Sequence, residues 1–210
     1  MIYKRALILA PHTDDGELGC GASINRMLEE GTEVYYVAFS TCRKSLPADV
    51  PSNTLELEVK EAVDILGLKP ENLILFDFDV RDFDSQRQSI LEEIVALKER
   101  LNPDVVFLPS STDMHQDHQV IHNEGLRAFK NTTILGYEMP WNNIVFTSNT
   151  FIRVDQSHIE KKLEALKSYK SQQNRKYLGR EFIMGLAKVR GVQAATDYAE
   201  AFESIRVVLD

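Results

Sequence analysis

The feature that most constrains the fold is a series of short, almost uninterrupted apolar runs, separated by segments in which apolar residues recur at helical spacing. The runs predict strands at residues 6–10, 34–39, 73–76, 105–108 and 133–137. The segments between them predict helices at residues 17–30, 53–66, 85–101 and 117–129. Strands that are apolar on both faces are typical of parallel sheets covered by helices on each side. The sequence therefore predicts an α/β fold with a mostly parallel sheet.

The pattern changes after about residue 140. It predicts one more strand at residues 151–154, an amphipathic helix at 157–169 and a final strand at 205–209. A length of 210 residues is ordinary for one domain. We therefore expect a single domain over residues 1–210, in which the part after about residue 140 elaborates the sheet.

The charge balance argues against nucleic acid as a partner. Asp and Glu number 32 against 24 Lys and Arg, and a surface with this net charge of −8 repels a phosphate backbone. The two cysteines, Cys20 and Cys42, are too few for a disulfide framework and indicate reduced thiols. The apolar run before Pro11 is shorter than the core of a secretory signal, and no stretch approaches the ~20 apolar residues of a membrane span. We therefore expect a cytoplasmic protein without a membrane span.

Two clusters of histidine and aspartate follow predicted strands. His12, Asp14 and Asp15 come directly after the first strand, and residues 115–118, with two histidines and an aspartate, come shortly after the fourth. The carboxyl ends of parallel strands lie at one edge of an open α/β sheet, which is where ligands bind. The two clusters are therefore expected to meet there and to form one metal site.

The ligand types indicate a hydrolytic metal centre. We expect His12, Asp15 and His118 as ligands, because catalytic zinc sites use three protein ligands and leave a position for water. Zn²⁺ is the expected metal, and Fe²⁺ or Co²⁺ suits the same donors. An isolated pair of such residues is usually a solvated helix start, so the prediction depends on the coincidence of two clusters.

The other charged residues of the clusters have expected roles in hydrolysis. Asp14 is the expected general base, which takes a proton from the attacking water. His115, as an imidazolium, is expected to stabilise the oxyanion of a tetrahedral intermediate. Asp117 is expected to orient either His115 or a ligand histidine through a ring N–H.

Loop residues near the same edge are candidates for contact with substrate. Arg43 is suited to a hydroxyl or an anionic group, Trp141 to stacking on a sugar, and Asn142 to hydrogen bonds with hydroxyls. Each also has an ordinary structural explanation: a solvated cation, a buried tryptophan or a turn residue. Asp113 and Met114 are expected to line the mouth of the site.

Both clusters resemble motifs of a known family, the PIG-L/LmbE family of metal-dependent N-deacetylases. Residues 11–17 are similar to its first motif, Pro-His-Pro-Asp-Asp followed by Glu, and residues 115–118 to its second, His-x-Asp-His. Residues 169–172 and 199–202 resemble further family segments, so the resemblance spans most of the chain. Thr13 stands where the family usually has proline, a change that removes no ligand.

The resemblance implies a Rossmann-like three-layer sandwich and a homo-oligomer. It also implies that His12, Asp15 and His118 bind zinc, that Asp14 is the base and that His115 is the electrostatic catalyst. The implied reaction removes an acetyl group from an N-acetylated amino sugar or its conjugate. Two alternatives stay open: the same site hydrolyses a different amide or ester, or the protein binds sugar at a metal without catalysis. A carboxylate beside a ligand argues against the second alternative, because a binding protein needs no base there.

Overall fold

The computed structural model describes residues 3–209, which form seven strands and six α-helices. The strands are β1 (Arg5–Ala10), β2 (Glu33–Ala38), β3 (Leu73–Leu75), β4 (Val105–Pro109), β5 (Thr133–Tyr137), β6 (Thr150–Val154) and β7 (Tyr198–Arg206). The helices are α1 (Asp15–Glu29), α2 (Thr54–Leu66), α3 (Arg87–Leu101), α4 (Gln116–Ala128), α5 (Gln156–Leu166) and α6 (Arg180–Gln193).

All seven strands belong to one sheet with the order β3-β2-β1-β4-β5-β7-β6. The first five strands in this order, β3, β2, β1, β4 and β5, are parallel to one another. Strand β7 pairs antiparallel with both β5 and β6. The predicted α/β fold with a mostly parallel sheet is therefore confirmed. The part after residue 140 adds the antiparallel edge of the same sheet.

Helices cover both faces of the sheet, as residues of β1 illustrate. Ala6, Ile8 and Ala10 belong to an apolar cluster with residues of α1, α2, α5 and α6. Leu7 and Leu9 belong to a second cluster with residues of α3 and α4. All five side chains are fully buried, as expected for a central parallel strand. The result is the three-layer sandwich that the family resemblance implies.

The C-terminal part differs most from the sequence expectations. The final strand, expected at residues 205–209, is β7, which runs from Tyr198 to Arg206. The helix expected at 157–169 ends at Leu166. Helix α6 has no counterpart among the expectations. Strand β7 is rich in alanine and glutamate, which favour strands only weakly, but its position between β5 and β6 overrides this preference.

Within residues 3–209, none of the helices has the length and apolar character needed to cross a bilayer. The single-domain boundary of residues 1–210 stays a prediction.

Candidate metal centre

The two histidine–aspartate clusters lie at the point where the strand order reverses. Strands β1 and β4 are neighbours in the middle of the sheet, and the order continues to β2 on one side and to β5 on the other. The loop after Ala10 leads into α1, and the loop after Pro109 leads into α4. Open α/β sheets bind ligands in the crevice that forms at such a reversal.

Three side-chain atoms from these loops form a nearly equilateral triangle. Oδ2 of Asp15 lies 3.1 Å from Nδ1 of His12 and 3.2 Å from Nε2 of His118. The two nitrogens are 3.4 Å apart. The structure thus brings together the three residues that the sequence indicates as ligands.

A carboxylate behind each histidine sets the orientation of its ring. Nε2 of His12 is 2.9 Å from Oδ2 of Asp117, and Nδ1 of His118 is 2.7 Å from Oδ2 of Asp113. A carboxylate accepts hydrogen bonds, so each ring donates its outer N–H. In the neutral ring, the nitrogen inside the triangle then carries a lone pair, as a metal ligand requires. Asp117 was expected to orient either His115 or a ligand histidine. Its carboxylate contacts His12, one of the expected ligands.

The triangle fits a tetrahedral divalent metal. Zinc–nitrogen and zinc–oxygen distances of roughly 2.0–2.2 Å place the ligand atoms of a tetrahedral site about 3.3–3.6 Å apart. The observed edges of 3.1, 3.2 and 3.4 Å are close to this range. Two imidazole nitrogens and one carboxylate oxygen match the donor set of hydrolytic zinc sites and leave a fourth position for water.

His115 lies beside this triangle. Nitrogen atoms of His12, His115 and His118 are within 4.8 Å of one another, so three imidazoles are also close enough to hold a metal ion. However, the backbone N–H of Asp117 donates to Nδ1 of His115. Nδ1 therefore has the lone pair and Nε2 has the proton, and a protonated nitrogen does not coordinate. The hydrogen bonding favours Asp15 over His115 as the third ligand.

The same hydrogen bond corrects the charge expected for His115. An imidazolium has protons on both nitrogens and cannot accept a bond at Nδ1. Burial and the nearby His118 also lower the pKa of His115. The ring is therefore neutral and offers its Nε2–H as a hydrogen-bond donor.

The pKa values of the three residues of the triangle are strongly shifted. Burial lowers the pKa of His12, but Asp15 and Asp117 outweigh it and raise this pKa to about 9. Burial also lowers the pKa of His118, and Asp15 and Asp113 outweigh it to raise this pKa to about 10. Burial would raise the pKa of Asp15, but the two histidines hold it well below its usual range. A metal therefore has to displace protons from the rings when it binds.

Asp14 lines the cavity beside the triangle. Burial and the neighbouring Asp15 carboxylate raise the pKa of Asp14 to about 6, although His12 and Arg175 oppose this. Within residues 3–209, its carboxylate takes part in no ion pair and no hydrogen bond to another residue. A free carboxylate with a pKa near neutrality is suited to accept and return a proton.

Two buried tyrosines hold the turn that carries Asp14. Oη of Tyr169 lies 2.7 Å from the carbonyl oxygen of Thr13 and 2.8 Å from Oε1 of Glu17. Oη of Tyr36 lies 2.9 Å from the same carbonyl and also contacts Glu17. Burial raises the pKa of Glu17 to about 8. Glu17 is therefore a buried support of the turn and does not line the cavity.

A cavity of about 290 Å³ opens over the triangle. Trp141 and Asn142, two of the three candidates for contact with substrate, line it. Arg43 does not line it, and its guanidinium pairs instead with Asp77 at 2.9 Å and with Glu56 at 3.7 Å.

Part of the cavity wall comes from segments outside the two histidine–aspartate clusters. Arg81 follows β3, and Gln172, Arg175 and Tyr177 follow α5. The ring of Tyr177 stacks on Trp141, with centroids 4.0 Å apart and an angle of 12° between the planes. Gln172 belongs to the segment at residues 169–172 that resembles a family motif, whereas no motif marks Arg81, Arg175 or Tyr177.

Asp113 and Met114 differ from their expected place at the mouth. Asp113 is buried, with 1% of its surface exposed, and it orients His118. Met114 is 56% exposed and lies outside the cavity. The need for a hydrogen-bond acceptor behind each ligand histidine is a signal that would have identified Asp113.

Comparisons with known proteins agree with the motifs. Residues 7–129 match the model of the family described as PIG-L, GlcNAc-PI de-N-acetylase. The "uncharacterized deacetylase" YaiS of Escherichia coli is 31% identical over 80% of this chain and 91% of its own length. Diacetylchitobiose deacetylase of Thermococcus kodakarensis is 25% identical over 80% of this chain and 70% of its own.

The fold agrees as well. The structure of N,N'-diacetylchitobiose deacetylase from Pyrococcus horikoshii superposes with a TM-score of 0.80 at 19% identity, over 96% of this chain and 84% of that one. The family match also confirms the expected reaction class, hydrolytic N-deacetylation. The chain therefore belongs to the PIG-L family of de-N-acetylases.

Proposed function

We propose that this protein is a zinc-dependent hydrolase that removes the acetyl group from an N-acetylated amino sugar or its conjugate. The observation that carries the proposal is the triangle of His12, Asp15 and His118 at the floor of a cavity, with a free carboxylate and an imidazole N–H beside it. The relatives named diacetylchitobiose deacetylase support an acetylated amino sugar as substrate.

His12 Nδ1, Asp15 Oδ2 and His118 Nε2 would hold the metal. When bound, a divalent metal polarises a carbonyl oxygen and lowers the pKa of water from 15.7 to about 7. Asp117 and Asp113 keep the two rings in the tautomer that presents a lone pair to the site. Fe²⁺ or Co²⁺ suits these donors too, so the choice of zinc is part of the proposal.

Two side chains would act on the substrate. Asp14 takes a proton from the attacking water and then delivers one to the leaving amine. Its carboxylate is available for both transfers because it forms no ion pair with another described residue. His115 donates its Nε2–H to the acetyl oxygen as negative charge develops there. The amide bond breaks, and acetate and a free amino sugar result.

The cavity wall would bind the sugar. Trp141 and Tyr177 stack on each other and present an aromatic surface of the kind on which sugar rings pack. Asn142 and Gln172 offer amide groups for sugar hydroxyls, and Arg175 offers a guanidinium. Oligomer formation and the cytoplasmic location stay predictions from the sequence.

The test is acetate release from N-acetylglucosamine and N,N'-diacetylchitobiose by protein reconstituted with zinc, with a chelator-treated sample as control. Acetate that appears only with metal would support the proposal. If neither compound releases acetate although zinc is shown to be bound, the result would count against an acetylated amino sugar as substrate and favour another amide or ester.

A further inference from the structure

Helix α1 is broken close to the metal-binding turn. Cys20 has φ −148° and ψ 24°, which are not helical angles. The residues before the break form the short turn that carries Asp15, and those after it form the rest of the helix. A break of this kind takes helical hydrogen-bond partners from the backbone groups on either side.

Two side chains from distant elements supply partners at the break. The carboxylate of Glu200, on β7, accepts from the backbone N–H of Ala22 at 3.3 Å and from that of Ser23 at 2.7 Å. The ammonium of Lys162, on α5, donates to the carbonyl oxygen of Leu18 at 2.7 Å. The pair therefore holds both sides of the break.

Lys162 and Glu200 also bind each other. Nζ of Lys162 lies 2.7 Å from Oε1 of Glu200, and the side chains are 5% and 7% exposed. Burying two charges costs solvation, so such a pair is weak evidence for a gain in stability. What it adds is geometry, because the same two charged groups also bind backbone groups on both sides of the break.

The glycines around Cys20 allow this close approach. A Cβ on Gly21 would lie 3.0 Å from Cγ of Lys162, which is tighter than ordinary contact. A Cβ on Gly19 would lie 2.5 Å from the ring of Tyr137. The two glycines therefore let the broken helix lie directly against Tyr137 and Lys162.

We propose that Lys162 and Glu200 are positioning residues for the metal centre. They fix the direction of the first turn of α1 and thereby place the Asp15 carboxylate at the triangle. The inference rests on the proposed role of Asp15 as a ligand. It predicts that the pair matters for metal affinity more than for global stability.

The test compares Glu200→Gln with a matched control, Glu138→Gln. Glu138 also belongs to a largely buried ion pair, with Arg190, whose side chain is 14% exposed, but neither residue bonds to the backbone of α1. Zinc affinity is measured by calorimetry and stability by urea unfolding. We expect Glu200→Gln to weaken zinc binding at least tenfold, and Glu138→Gln to keep it within about twofold even if both lose stability. The proposal would be overturned if both variants lost zinc affinity in proportion to their loss of stability.

A double variant, Lys162→Met with Glu200→Gln, covers the case in which the single variant does not fold. It leaves no unpaired buried charge but still removes partners from the backbone, so we expect weakened zinc binding. Wild-type zinc affinity in this variant would overturn the proposal. Asp15→Asn distinguishes a failure of the ligand assignment from a failure of the positioning role. If this variant keeps its zinc affinity, the ligand assignment fails. If it weakens zinc binding and the Glu200 and Lys162 variants do not, only the positioning role fails.

Discussion

At the scale of single residues, one backbone hydrogen bond decides what His115 can do. Because Nδ1 accepts from the N–H of Asp117, the ring is neutral and its only proton is on Nε2. A ring in this state donates to an oxyanion and does not bind metal. His12 and His118, the proposed ligands, show the reverse arrangement, with the outer nitrogen donating to a carboxylate.

Substitution of His115 by Asn should therefore leave metal binding intact and slow the reaction. We expect turnover to fall by about 10²–10³-fold, the usual effect of losing one oxyanion donor. The checks are acetate release and zinc content of the purified variant. His122→Asn is a suitable control, because His122 lies on the same helix but outside the cavity. Loss of zinc from the His115 variant would contradict the assignment and favour a three-histidine site.

Side-chain direction limits what the sequence predicts at this scale. The approach of His12 and Asp15 to His118 follows from short spacing and from the general position of sites in α/β sheets. Asp113 was expected at the mouth because it precedes the second motif, yet its side chain is turned inward to His118. Arg43 follows the correct strand, but Asp77 and Glu56 bind its guanidinium.

At the scale of elements, close packing of α1 is the feature with the clearest consequence. Gly19→Ala would place a methyl group 2.5 Å from the ring of Tyr137, so helix or ring has to move. We expect a loss of about 1–3 kcal/mol in the free energy of unfolding, measured with urea. The control is Gly185→Ala in α6, where nothing lies within 4 Å and where alanine should gain up to about 1 kcal/mol of helix stability. Equal effects at both positions would show that packing at Gly19 is unimportant.

The elements that the sequence misses are those that depend on tertiary contacts. Helix α6 contains Gly185 and Gly191, which weaken its intrinsic helical preference.

Helix ends were also harder to predict than helix interiors. Asn53 and Ser85 begin capping-box patterns, but Asn53 makes no side-chain cap. Ser85 donates to the carbonyl oxygen of Asp82, and α3 begins only at Arg87.

At the scale of the whole molecule, the metal should link α1 and α4 and thereby stabilise the fold. A ligand that binds only the folded state at 100 times its Kd contributes about 2.7 kcal/mol, or roughly 5–10 °C in Tm for a chain of this size. We expect zinc to raise the Tm of the wild type by this order, measured by calorimetry. Asp15→Asn should lose most of the increase. A wild-type Tm that does not depend on zinc would contradict a site that joins the two helices.

The overall arrangement could be predicted to the level of a class but not of a topology. Continuous apolar runs indicate the parallel strands and their covering helices. They do not indicate that β7 inserts between β5 and β6, because pairing partners far apart in the chain leave no local pattern. Arg175 and Tyr177, which follow α5, reach the cavity through this C-terminal arrangement, so no local pattern determines their place at the site.

The central claim is that two adjacent carboxylates have different tasks: Asp15 holds the metal and Asp14 moves the proton. The most direct measurement is zinc content together with acetate release from N,N'-diacetylchitobiose, in the wild type, Asp14→Asn and Asp15→Asn. The account predicts that Asp14→Asn keeps its zinc but loses turnover by about 10²–10⁴-fold, and that Asp15→Asn loses both. Near-wild-type turnover of Asp14→Asn, or full zinc content in Asp15→Asn, would contradict it.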